Sequence, residues 1–159
     1  MRLQKNTALA LYSVLESAGD PTRHIAAAEI AAKYGVSSHH LAKVLAELAR
    51  SGIVESVRGA GGGYRFTGNA RRLTLMDIIQ MFEDFAPPAA QRGGLDALTP
   101  VDLALGTVLS EIDETAKATF SSITLATMLR LIERQQASAV AAPAPRASDR
   151  KPARRRTSG

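Results

Sequence analysis

Residues 36–66 read VSSHHLAKVLAELARSGIVESVRGAGGGYRF, and this stretch limits the folds open to the chain more than any other. Leu41, Val44, Leu45 and Leu48 recur at i, i+3, i+4 and i+7, which makes one apolar stripe on a helix. The opposite face carries His39, Lys43, Ala46 and Arg50, with His40, Ala42 and Glu47 on the flanks. Small Ala allows a backbone to come close, while Ser38, His39, His40 and Lys43 can reach base edges and phosphates in a major groove. Upstream, Ala27, Ile30, Ala31 and Tyr34 form a second helical stripe, and Gly35-Val36-Ser37 supplies a short turn between the two. Downstream, the β-branched run at Ile53 to Arg58 and the return strand at Tyr64 to Thr67 frame a turn of Gly59, Ala60, Gly61, Gly62 and Gly63. A helix-turn-helix followed directly by a basic-flanked hairpin is a winged helix. Arg58, Gly59, Gly61, Tyr64 and Arg65 are its candidate DNA contacts, with Arg58 placed for a phosphate or the minor groove.

Two blander readings compete with this one. An amphipathic helix can simply be solvated beside an ordinary hairpin. A phosphate-binding loop is weaker still, because the glycines lie between strands and no Gly-Lys-Ser/Thr follows.

The segments outside this stretch extend the pattern. A first helix is expected over residues 7–18, with Ala8, Leu11, Tyr12 and Leu15 inward, ended by Gly19-Asp20-Pro21. After the wing, Thr74 with Asp77 three residues later caps a helix that turns Leu75, Ile78, Ile79 and Phe82 inward. Thr99-Pro100-Val101-Asp102 opens the longest helix, with an N-cap, Pro in the first turn and an acid at N3. Along it, Val101, Leu105, Val108, Ile112, Thr115 and Thr119 form a heptad-like stripe, and Leu109, Ala116 and Phe120 form a second. Two stripes call for two partners: the helix's own domain and, most simply, the same helix of a second copy. Burial of both within one monomer is the alternative. A last helix is expected over residues 123–132, and from about Ala137 the composition turns to Ala, Pro, Ser and Arg, which reads as a disordered basic tail.

The quoted residues also carry a family resemblance. Met1-Arg2-Leu3, Glu29-Ile30-Ala31, Val36-Ser37, His40-Leu41, Leu45-Ala46-Glu47-Leu48 and Gly52-Ile53-Val54 lead into Ser56-Val57-Arg58-Gly59-x-Gly61-Gly62-Gly63-Tyr64. Leu73-Thr74-Leu75-x-Asp77-Ile78-Ile79 follows. Over roughly residues 1–136 this resembles the Rrf2 family of bacterial winged-helix regulators, which includes iron–sulfur and nitric-oxide-responsive repressors. The resemblance implies a dimeric repressor of a pseudo-palindromic double-stranded DNA operator. It also implies three cysteines between the post-wing helix and the long helix, and here the chain departs, because it contains no Cys. Ala90, Ala97 and Ala104 stand about where thiolates are expected, and Lys5 and Ala8 where relatives can offer an acid. Iron–sulfur clusters are held by thiolates, so no cofactor is expected. A histidine metal site is not expected either: His39 and His40 point about 100° apart on a helix and His24 lies alone in a loop.

Charge divides the chain in the same way. Residues 1–72 hold ten Lys/Arg against five Asp/Glu, residues 73–136 four against nine, and residues 137–159 six against one, for a net +5. A basic first half suits a polyanion. No run has transmembrane length or a signal-peptide pattern, and no nucleophile is paired with a base, so a cytoplasmic protein that is not an enzyme is expected.

The expectation is therefore a mainly α fold with a small β-hairpin. It comprises a winged helix-turn-helix DNA-binding domain (residues 1–84), a loop (85–98), dimerisation helices (99–136) that pair through Val101, Leu105, Val108 and Ile112, and the basic tail (137–159). Its expected function is sequence-specific transcriptional regulation, most simply repression, as a homodimer and without a cluster. A winged helix that docks a partner protein is the alternative. No residue pattern points to an effector.

Overall fold

The computed structural model describes residues 3–83 and 99–141. The elements in order are α1 (Lys5–Gly19), α2 (Ala27–Tyr34), α3 (Ser38–Arg50), β1 (Val54–Val57), β2 (Gly63–Phe66), α4 (Leu75–Ile79), α5 (Pro100–Ser122) and α6 (Leu125–Ala141). The fold is mainly helical with one two-stranded antiparallel sheet.

The stripe of α3 is the centre of the core. Leu41, Val44, Leu45 and Leu48 are all buried, packed with Ile30 and Ala31 of α2, Ile53 and Val54, and Ile78 and Ile79 of α4. Gly35 ends α2 in the left-handed conformation at φ 63°, which only glycine adopts without strain, and its N–H returns to the last turn of the helix. Ser37 then caps α3. Both expected capping boxes are present, Thr74 with Asp77 and Thr99 with Asp102.

The inward face of α1 differs from the expectation. Leu9, Ala10, Ser13, Val14 and Ser17 are buried, whereas Tyr12 is exposed and Ala8, Leu11 and Leu15 are only half-buried. The reason lies in the serines. Ser13 Oγ donates to Leu9 O and Ser17 Oγ to Ser13 O, each at 2.8 Å, so both hydroxyls are satisfied within the helix. Small side chains then let α1 approach α3 and α4 closely.

At the other end of the domain, the α5–α6 junction is tied back to the strand-like segment before α4. Leu75 N–H donates to Ile123 O and Leu125 N–H to Leu73 O, both at 2.9 Å, and Leu125 is fully buried. The final helix does not stop near Ile132 but continues to Ala141, so the change of composition at Ala137 is not a structural boundary. Gln135, Gln136 and the alanines that follow have good helix propensity, and the first proline, Pro143, comes only after the helix. The expected loop at 85–98 and residues 142–159 of the expected tail lie outside the described residues. No described helix is long and apolar enough to cross a membrane.

Candidate nucleic-acid interface

Burial of one α3 stripe forces the opposite stripe outward. Ser38, His39, Lys43, Ala46 and Arg50 are exposed on it. Lys43 forms no ion pair among the described residues, whereas Arg50 pairs with Glu47 three residues earlier. His40, expected on the flank of that face, is half-buried. Its ring is partly buried in a cavity of about 310 Å³ shared with Asn6, Met81 and Phe82, and Nε2 has no hydrogen-bond partner there. Lys43, Glu47 and Arg50 line the same cavity, so His40 borders the exposed face of α3 as well as the segment after α4.

The wing pairs Val54 with Phe66, Glu55 with Arg65, Ser56 with Tyr64 and Val57 with Gly63. Arg65 is consequently held by Glu55 directly across the ladder, its Nε donating to Oε1 at 2.8 Å. The backbone of Tyr64 exchanges two 2.9 Å hydrogen bonds with Ile25. Ile25 thus adds a one-residue third strand to the wing, a pairing that the loop-like sequence around His24 gave no sign of. Arg58, Gly59 and Gly61 are exposed at the tip, and Arg58 has no ion-pair partner among the described residues.

The glycines are required by this geometry. Gly59 and Gly61 take φ of 107° and 75°. A Cβ on Gly63 would lie 2.6 Å from Ile25 O, and one on Gly62 would collide with Val57 O.

One structural carboxylate near this face was not apparent from sequence. Glu83 Oε1 accepts from Gln4 N–H at 2.6 Å and from Thr7 Oγ1 at 2.8 Å, joining the segment after α4 to the start of α1. Seventy-nine residues separate the first pair, so no local signal could have found it.

The Rrf2 family model, described as an iron-dependent transcriptional regulator, matches residues 3–131. BadM of Rhodopseudomonas palustris, whose name places it among HTH-type transcriptional regulators, is 46% identical over 136 residues, 86% of each chain. Protein aau3 of Rhizobium meliloti is 40% identical over 84 residues, 53% of this chain and 54% of that protein. Among solved structures, IscR of T. potens has a TM-score of 0.65 at 27% identity, covering 86% of this chain and 91% of its own. CymR, the global cysteine regulator of B. subtilis, has the same fold at a TM-score of 0.65 and 24% identity, covering 82% and 98%. For the iron in the family's description the chain offers no thiolate. The chain has no Cys, and among the described residues no three of His, Asp and Glu stand together. The match nevertheless spans the helix-turn-helix, the wing and the long helix, and the chain belongs to the Rrf2 family of DNA-binding transcriptional regulators.

Proposed function

We propose that the chain acts in the cytoplasm as a homodimeric, sequence-specific repressor whose DNA binding does not depend on an iron–sulfur cluster. Ser38, His39 and Lys43 read base edges in the major groove, with His40 at the start of the same helix. Arg58, Gly59 and Gly61 follow the phosphates at the wing tip, with Tyr64 and Arg65 as the strand that holds the tip in place. The single observation that carries the dimer is α5: none of its residues is buried, and Val101, Leu105, Val108 and Ile112 are 65%, 57%, 55% and 56% exposed. A row of large apolar side chains on one long helix favours a second copy of that helix.

A two-fold dimer predicts inverted half-sites about one helical turn of DNA apart, or a multiple of that. Selection from random duplex DNA tests this directly. Recovery of an inverted repeat is the expected result, and enrichment of single half-sites or of no motif would sink the dimeric reading. Repression is tested by the promoter position of the recovered site.

A further inference from the structure

Away from the DNA face, α1, α2 and α6 enclose a groove of about 740 Å³. Its floor is apolar, built from Leu15, Met128, Leu129 and Ile132. Tyr12 and Tyr34 stack at one side with ring centroids 4.4 Å apart and planes 5° apart. Three carboxylates border it, Glu16, Asp20 and Glu133, against one ammonium, Lys33, which already lies 2.6 Å from Glu16. Glu133 forms no ion pair among the described residues, while Asp20 accepts from Thr22 and feels the charge of Arg23, whose guanidinium is itself paired with Glu29.

This combination of an aromatic pair, an apolar floor and an acidic rim selects its occupant by charge. A nucleic acid is repelled. The exposed half of α5 from a second copy fits poorly, because it brings Asp102, Glu111, Asp113 and Glu114 and no basic residue before Lys117. The chain itself carries the complement. Helix α6 forms one wall of the groove as far as Gln136 and ends at Ala141. Residues 142–159 follow, with six Lys/Arg against one Asp, and they begin Ala142-Pro143-Ala144-Pro145-Arg146.

Proline rings pack on aromatic faces, and their fixed φ lowers the entropy lost on docking. Arginine then pairs with carboxylates at the rim. The reach is sufficient. Glu133 lies about 12 Å before Ala141 along a helix that rises 1.5 Å per residue. Five extended residues span up to about 17 Å, enough to return Arg146 to Glu133, with Arg150 and Lys151 following.

We propose that the groove between α1, α2 and α6 is the docking site of the chain's own C-terminal segment, residues 142–159. Docking withholds its arginines from DNA phosphates, and duplex DNA competes for them. The tail is thus an internal competitor that suppresses non-specific binding at low salt.

Zero-length carbodiimide cross-linking of the full chain tests this, because Lys151 is the one lysine beyond Lys117. The expected product links Lys151 to Glu133 or Asp20 within a single chain. Its yield falls several-fold in high salt, on adding duplex DNA, and in Glu133→Gln with Asp20→Asn. Both side chains are on the surface, and far-ultraviolet circular dichroism checks that the double variant is folded. Non-specific duplex binding by that variant rises about three- to tenfold at low salt. The rise disappears when Arg146, Arg150 and Lys151 are also changed to Gln. Three results overturn the proposal: links from Lys151 spread evenly over all exposed carboxylates, links formed only between two chains, or DNA affinity unchanged in the groove variant.

Discussion

Lys43 and Arg58 are both exposed cations without an ion-pair partner among the described residues, one on a helix face and one at the tip of the hairpin, and the proposed function gives them different roles. A helix face can read base edges, while a glycine-rich wing tip meets the backbone. Arg58→Ala is expected to weaken binding evenly across sequences and to lower the salt slope by about one. Lys43→Ala is expected to cost about 1–3 kcal/mol on the preferred site and to relax base preference there. Fluorescence anisotropy titrations over a salt series, with preferred and scrambled duplexes, measure both. Unchanged affinity in the two variants would mean that the DNA face lies elsewhere. Arg65 provides the contrast, since its pairing with Glu55 makes Arg65→Ala a change to the wing before it is a change in charge. A different residue-scale effect is expected at Glu16. Burial opposes its charge, but hydrogen bonds from Lys33 and from the Tyr34 hydroxyl outweigh this and hold its carboxyl below the ordinary value. A depressed folded pKa means that the stabilisation is complete above the unfolded value and is lost as pH falls through the folded one. Glu16→Gln should therefore lose stability at neutral pH, by about 1–2 kcal/mol, and show a flatter acid limb than the parent in urea titrations.

At the scale of elements, α5 and the wing are held by opposite means. The sheet is fixed by backbone sterics, because Gly63 packs against the Ile25 carbonyl. Gly63→Ala should separate the wing from Ile25, lower the thermal midpoint by several degrees, and reduce DNA affinity more than Lys43→Ala does. Along helix α5 the large apolar side chains Val101, Leu105, Val108 and Ile112 are more than half exposed. Each large apolar side chain that becomes covered contributes about 1.5–3 kcal/mol. Leu105→Lys combined with Val108→Lys is accordingly expected to halve the mass seen by light scattering and to abolish binding to an inverted repeat, while the folded wing domain remains. A dimer that survives both charges would require a different interface. The periodicity of α5 was legible because its capping box and its heptad spacing are local in sequence. The inward face of α1 was not. Counting large apolar residues favours Leu11, Tyr12 and Leu15, whereas the packed face is set by small residues whose hydroxyls bond within the helix. The contacts of Ile25 with Tyr64 and of Glu83 with Gln4 escaped for a related reason, since each joins segments far apart in the chain.

For the whole molecule, the basic winged-helix half, the acidic long-helix half and the basic C-terminal segment were readable from charge alone, and the core along α3 from a single helical stripe. What joined these parts was not readable: the Leu73–Leu75 and Ile123–Leu125 clasp is made by backbone groups, which leave no mark on residue type. The same division applies to the cofactor. Family membership follows from the fold-determining residues, whereas a cluster requires particular donors, and the two are separable within one chain. Several thiolates are needed to hold an iron–sulfur cluster, with histidine replacing only some of them, and this chain supplies none. Its three histidines do not make up the deficit: His39 faces outward on α3, His40 borders that face and the segment after α4, and His24 lies in the loop before α2. A metal held at His39 would also occupy the helix face proposed to read DNA. Protein purified without oxygen is therefore expected to be colourless, with iron and acid-labile sulfide far below one cluster per chain. Its affinity for operator DNA should be unchanged by nitric oxide, air or an iron chelator. Visible absorbance with stoichiometric iron and sulfide, or loss of DNA binding on chelation, would show that ligands outside the thiolate set are enough to hold the metal.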